Sequence, residues 1–149
     1  MAADNQQQEG ADLSPNKQNL HKGSAYSRHL GIDFLDADEG CSRLSMDIQP
    51  FHANMRGHVH GGALFSLVDA GMGIALYSRL PDNLAAATIE SKINYLKAVT
   101  KGQLICESRV IHLGSSTAVL EADVMQDGQP VVRALATFAL IPASDDQSR

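Results

Sequence analysis

The sequence contains no tryptophan, only three tyrosines and four phenylalanines, and just two cysteines, Cys41 and Cys106, which form no CxxC pair. A chain so poor in cysteine has no disulfide framework, so an apolar core must hold it together. No stretch of about 18 apolar residues occurs, which excludes a membrane-spanning helix. The first residues lack the basic start and apolar run of a secretory leader, so a cytoplasmic location without membrane association is expected. Basic residues are also scarce: 12 Lys and Arg against 17 Asp and Glu leave a formal charge of -5. Nucleic acid is therefore not an expected partner, although a local basic patch would suffice for a ligand bearing phosphates. Gly-rich phosphate loops and the GxSxG elbow are absent as well.

What is present is a normal globular composition, 44% hydrophobic and 19% charged over 149 residues, which fits one domain. Residues 1–22 are rich in Gln, Asn, Asp and Lys and carry no aromatic residue, so they read as a disordered polar tail. Residues 143–149 read as a polar C-terminal tail, leaving 23–142 as the domain. Within it, 24–30 can form a short helix capped by Ser24 and ended by Gly31. Residues 32–48 read as strand interrupted by a turn at Asp38-Glu39-Gly40, and 50–57 as a loop.

Residues 61–78 have helical length and are apolar on nearly every side, with Asp69 their single charge before Arg79. On a helical wheel Leu64, Leu67, Val68, Gly71 and Ala75 share one side, and Phe65, Met72 and Leu76 accompany Asp69 on the other. The expectation is a helix buried all round, with Gly71 and Gly73 explained by close packing against another backbone. After Pro81-Asp82-Asn83, residues 88–96 alternate, placing Ile89, Ile93 and Tyr95 on one face and Thr88, Glu90, Lys92 and Asn94 on the other. Three more strands, 103–112, 116–125 and 130–141, follow with hairpin turns at 113–115 and 126–129. One long helix and a meander of antiparallel strands make an α+β domain, a sheet wrapped around a helix.

A carboxylate in an apolar helix calls for a reason, either a structural hydrogen bond or chemistry. Upstream of Asp69, His58-Val59-His60-Gly61-Gly62 leads from the loop into the helix. Free backbone N–H groups beside glycines suit a developing oxyanion, although glycines also serve a tight turn. Gly61 and Asp69 are eight residues apart, about 12 Å along a helix. If both act on one group, Asp69 must come from a second subunit, which predicts a symmetric dimer. His52, His58 and His60 raise a metal site, against which stand the place of His58 and His60 at a loop-to-helix junction, the distance of both cysteines in sequence and the lack of an evident third ligand. Cys41 and Cys106 have no neighbour in sequence that would activate a nucleophile.

The run Asn54-Met55-Arg56-Gly57-His58-Val59-His60-Gly61-Gly62, followed by Leu64-Phe65-Ser66-Leu67-Val68-Asp69, resembles the N-x-x-G-x-x-H-G-G…D signature of PaaI-type hotdog thioesterases. The likeness spans about residues 24–141 and includes Thr88-Ile89-Glu90 at the strand after the helix. It implies a hotdog fold, a homodimer that pairs again into a homotetramer, and hydrolysis of acyl-CoA without metal or organic cofactor. It further implies that the Gly61 N–H and the Asn54 side chain polarise the thioester carbonyl. Asp69 of the partner subunit would act as base or nucleophile, with Thr88 holding the water and His60 orienting the loop. Gly62, Phe65, Lys92 and Lys97 are candidate substrate contacts, with Lys101 and Arg109 further candidates for the coenzyme A phosphates. Phe65, Met72 and Tyr77 are candidates for the acyl pocket. Two other readings remain, a non-catalytic acyl-CoA-binding hotdog module and a hotdog dehydratase.

Overall fold

Alternation of apolar and polar residues along the second half of the chain sets the sheet. The computed structural model describes residues 14–144. Six strands, β1 Ile32–Asp38, β2 Cys41–Asp47, β3 Leu84–Tyr95, β4 Gln103–Leu113, β5 Thr117–Gln126 and β6 Gln129–Pro142, form one sheet in the order β1-β2-β4-β5-β6-β3. Every neighbouring pair is antiparallel. The turns are local in origin: Glu39 and Gly40 have φ of 49° and 86°, and Asp127 and Gly128 of 49° and 74°, as two-residue hairpins require.

Leu44, Leu104, Cys106, Leu120, Val124 and Val132 line the inner face and are essentially inaccessible. Against them lies the long helix α3, Gly61–Tyr77, through Leu67, Val68, Met72, Ala75 and Leu76. Burial of these aliphatic side chains, about 1.5–3 kcal/mol each, is the main stabilising contribution. The α+β arrangement of a long helix against an antiparallel sheet is the one expected. No helix among the described residues is long and apolar enough to cross a membrane.

Four details differ from the sequence reading. The helix is not buried all round: Met72 and Leu76, assigned to the side of Asp69, are fully buried, whereas Asp69, Gly73, Ile74 and Tyr77 are only partly covered. The sheet wraps one side of α3 and leaves a strip open. Second, Gly71 is packed closely but against side chains, since a Cβ there would lie 2.6 Å from Ser108 Oγ and 3.0 Å from Cys106 Sγ. A Cβ on Gly73 would meet nothing within 4 Å.

Third, part of the expected tail is folded. Helix α1, Pro15–Gln18, and a 3-10 turn, Leu20–Lys22, precede helix α2, Ala25–His29. The Asn16 side chain donates to Pro81 O at 3.0 Å, and its backbone N–H donates to Asp82 Oδ1 at 3.0 Å. Composition weighs apolar burial and misses such side-chain-to-backbone bonds. The rest of both expected tails, residues 1–13 and 145–149, lies outside the described residues.

Fourth, β3 starts at Leu84, four residues before the expected strand, because its alanines pair with β6 despite weak strand propensity. Its register shifts between Thr88 and Glu90, a bulge at Ile89. Thr88 pairs with buried Phe138 and faces the helix, while Glu90 pairs with Thr137 and faces away. The expected grouping of Thr88 with Glu90 and Lys92 is thereby corrected.

Alanine substitutions at the two helix glycines are expected to act with opposite signs. Gly71→Ala forces Ser108 or the helix to move, a cost of about 1–3 kcal/mol that outweighs the gain in helix propensity. Gly73→Ala enters open space and is expected to stabilise by up to about 1 kcal/mol. Urea unfolding of the two variants beside the parent chain measures both; equal shifts of one sign would contradict this packing.

Candidate functional site

The head of α3 is built so that one backbone donor is left over. His60 is the N-cap, and its Nδ1 accepts from Gly62 N–H at 2.9 Å. Ala63 and Leu64 N–H both donate to His60 O. Gly61 N–H, first in the helix, has no acceptor among the described residues. It sits at the positive end of the helix dipole, where an oxyanion is favoured. Gly62, a candidate substrate contact, uses its N–H for the cap instead, so its N–H is not free for a ligand.

Two residues hold this geometry in roles that the sequence did not suggest. Tyr95, at the end of β3, donates from its hydroxyl to Gly61 O at 3.0 Å. A Cβ on Gly61 would lie 3.1 Å from that hydroxyl, so glycine also leaves room for this contact. Nothing in the sequence connects positions 34 apart. His52 is the second, being 2% exposed. Its Nδ1 accepts from Gln49 N–H at 2.9 Å and its Nε2 donates to Leu30 O at 2.8 Å. Its backbone carbonyl accepts from His60 N–H at 2.7 Å, so the loop and the cap are tied together.

With both ring nitrogens of His52 bound and one of His60 capping the helix, the histidines do not converge on a common point. No cluster of three or more potential metal ligands occurs among the described residues.

Asn54 stands beside the free donor. Its Oδ1 accepts from Arg56 N–H at 2.8 Å and His58 N–H at 3.2 Å, which leaves the amide NH₂ as the group able to donate. Asn54, Gly61, Tyr95 and Lys97 line one pocket of about 320 Å³. Lys97 is thus near the head of α3. Lys92 is not: it pairs with Leu135 on the outer face of the sheet. Arg109 is engaged with Glu121 on β5, and Lys101 lies at a different depression beside Thr100.

Asp69 occupies a second groove of about 540 Å³ between α3 and the segment carrying α1 and α2. Its carboxylate is partly exposed there, so the expected burial cost does not arise in this chain. Thr88 Oγ1 donates to Asp69 Oδ1 over a long 3.4 Å. The bulge at Ile89 makes that meeting possible. Phe65 and Tyr77 share the groove, whereas Met72, a third candidate for the acyl pocket, is in the core at 0% exposure. The Asp69 groove and the Asn54 pocket have no lining residue in common.

Neither cysteine belongs to these sites. Cys106 is buried beneath α3, and that burial, opposed by a hydrogen bond from Ser108 and reinforced by the charges of Asp123 and Glu107, pushes its thiol up to about 12. It stays a neutral thiol across the physiological range.

Comparison with known proteins places these residues in context. Residues 56–133 match the family described as the Thioesterase superfamily. The chain is 30% identical over 114 residues to the acyl-coenzyme A thioesterase PaaI of Escherichia coli, covering 76% of this chain and 79% of that one. Among solved structures it is similar to a conserved Pseudomonas aeruginosa protein, PA5202, with a TM-score of 0.79 and 36% identity over 83% of this chain and 98% of that one. It is also similar to the structure of the E. coli PaaI protein from the phenylacetic acid degradation operon, with a TM-score of 0.79 and 27% identity over 87% and 93% of the two chains.

The two cysteines are expected to separate by reactivity. A chromogenic thiol reagent should modify exposed Cys41 in the native protein and reach Cys106 only after denaturation. Modification of both at one rate in the folded state would contradict the burial described.

Proposed function

Since this chain belongs to the thioesterase superfamily and has its hotdog fold, we propose that it hydrolyses the thioester bond of acyl-CoA at a site completed by two subunits. The observation that carries the proposal is the unmatched Gly61 N–H at the head of α3, in one pocket with the free amide of Asn54 and about half a helix length from a partly exposed Asp69. Two donors near a thioester carbonyl stabilise the charge that develops on its oxygen. Asp69, with Thr88 beside it, takes a proton from water as the water attacks that carbon, or attacks the carbon itself and is freed by water afterwards. On either route the carbon–sulfur bond breaks, and the products are a carboxylic acid and coenzyme A as its thiol.

Within one chain the donors and the carboxylate cannot meet. Gly61 and Asp69 are separated by eight residues of continuous helix, about 12 Å, and open into different cavities. A second copy related by a two-fold axis brings Asp69 of one chain to Gly61 of the other, giving two equivalent sites. The edge strand β3 offers the route: it is 12 residues long and pairs on one side only, with β6. An unpaired edge of that length favours strand addition. Lys97 at the Asn54 pocket is a suitable contact for the coenzyme's phosphates, and the acyl group enters the Asp69 groove.

Asp69→Asn is expected to lower kcat for a panel of acyl-CoA substrates by about 10² to 10⁴ with fold and dimer intact, as thiol release measures. Full activity in that variant would sink the mechanism. Tight acyl-CoA binding by the parent chain without thiol release would identify a binding module instead. Sharing of the site has its own test: Asp69→Asn and Asn54→Ala chains, each inactive, are unfolded and refolded together. Hybrid dimers then contain one intact site, and about a quarter of parental activity should return. If both residues acted within one chain, nothing would return.

A further inference from the structure

The groove that holds Asp69 is longer than the reaction requires. Its floor is the row Phe65, Asp69, Gly73 and Tyr77, spaced four apart along one face of α3. In a complete row, side chains at each step would divide the groove into short compartments. At Gly73 the row is interrupted. A Cβ there would meet nothing within 4 Å, so no packing within the chain explains a glycine that costs the helix stability. The notch lies one turn beyond Asp69, about 6 Å along the axis, and Tyr77 lies about 12 Å beyond Asp69.

The far end is fixed. The Tyr77 hydroxyl accepts from Ala86 N–H at 3.1 Å, which anchors the ring at the start of β3. Leu20, Ala70 and Ile74 give the groove apolar walls between Asp69 and that ring. We infer that the channel from Asp69 across Gly73 to Tyr77 receives an extended, medium-length, apolar acyl chain, and that Gly73 sets the length accepted. The inference rests on the thioesterase reading above and names the substrate class of the same site. A compact acyl group would reach the carboxylate and leave the notch empty, whereas an extended chain fills it. The walls contributed by the segment of α1 and α2 lie before residue 56, outside the stretch matched to the family.

The test compares octanoyl-CoA with butyryl-CoA in the full-length chain and in Gly73→Ala and Gly73→Leu. The ratio of kcat/KM, octanoyl over butyryl, is expected to fall in the order parent, Ala, Leu, by about tenfold or more for Leu. A ratio that stays constant, or a uniform loss on both substrates, overturns the inference. The Ala variant, which enters open space, supplies the same reading if the Leu variant does not fold. Solution molar mass is measured alongside. Loss of assembly in Gly73→Leu with the parental ratio retained would assign the notch to contact with a second copy.

Equilibrium binding of the two thioesters to Asp69→Asn, with and without Gly73→Leu, keeps the two readings apart. Preference for octanoyl-CoA that disappears with Gly73→Leu supports the groove even if the parent hydrolyses nothing, an outcome that sinks only the catalytic reading. Hydrolysis with an unmoved length preference sinks only the groove.

Discussion

At Gly71 the backbone of α3 comes so near the sheet that a single methyl group would sit 2.6 Å from the Ser108 hydroxyl. That approach fixes the height and rotation of the helix together. Ser42 on β2 donates to Gly71 O at 2.7 Å, and at the helix end Ser78 donates to Ala75 O and accepts from Gly40 N–H. The helix is therefore held by polar contacts at Gly71 and Ser78 on this side, as it is from β3 at Gly61 and Tyr77. Because α3 is a rigid rod, its setting at Gly71 also sets Gly61 at its head and Asp69 on its flank. Groups on a packed helix are placed more accurately than groups on loops.

The head of the helix illustrates how one free donor is produced by binding all the others. His60 takes the Gly62 N–H with its ring and those of Ala63 and Leu64 with its carbonyl, and Tyr95 fixes Gly61 from β3. His52, buried and bound through both ring nitrogens, joins this turn to the end of α2. A helix N-terminus left wholly to solvent would offer several donors of uncertain direction. Here only Gly61 N–H, among the described residues of that turn, remains unsatisfied.

How much of this was legible in the sequence follows from how local each cause is. The hairpin at Asp127-Gly128 and the glycines after His60 are short-range signals, and both were readable. The helix at Gly61–Tyr77 was readable from length, but its rotation was not, because an almost uniformly apolar segment carries little information about which side meets the sheet. Hence Asp69 was expected in a buried setting, and Met72 beside it, when one lines a groove and the other is core. The positioning roles of Tyr95 and His52 were missed because their partners, Gly61 and Leu30, are 34 and 22 positions away. The face of Thr88 was misplaced because the direction of a β3 side chain beyond the bulge depends on register, which pairing with β6 decides, whereas Lys92 faces outward as the alternation indicates.

The bulge at Ile89 changes the parity of β3 partway along its length. On the Tyr95 side of it, odd-numbered residues face the helix; on the other side, even-numbered ones do, Thr88 among them. The proximity of Thr88 to Asp69 therefore follows from its pairing with Phe138 rather than from the residue at position 89, which is 59% exposed. Many side chains could stand at Ile89 without disturbing the groove. Removing that one position would restore unbroken alternation with Glu90 still opposite Thr137 and Thr88 still opposite Phe138 on the inner face, so the bulge lets this edge strand carry an extra residue without turning Thr88 away from the groove.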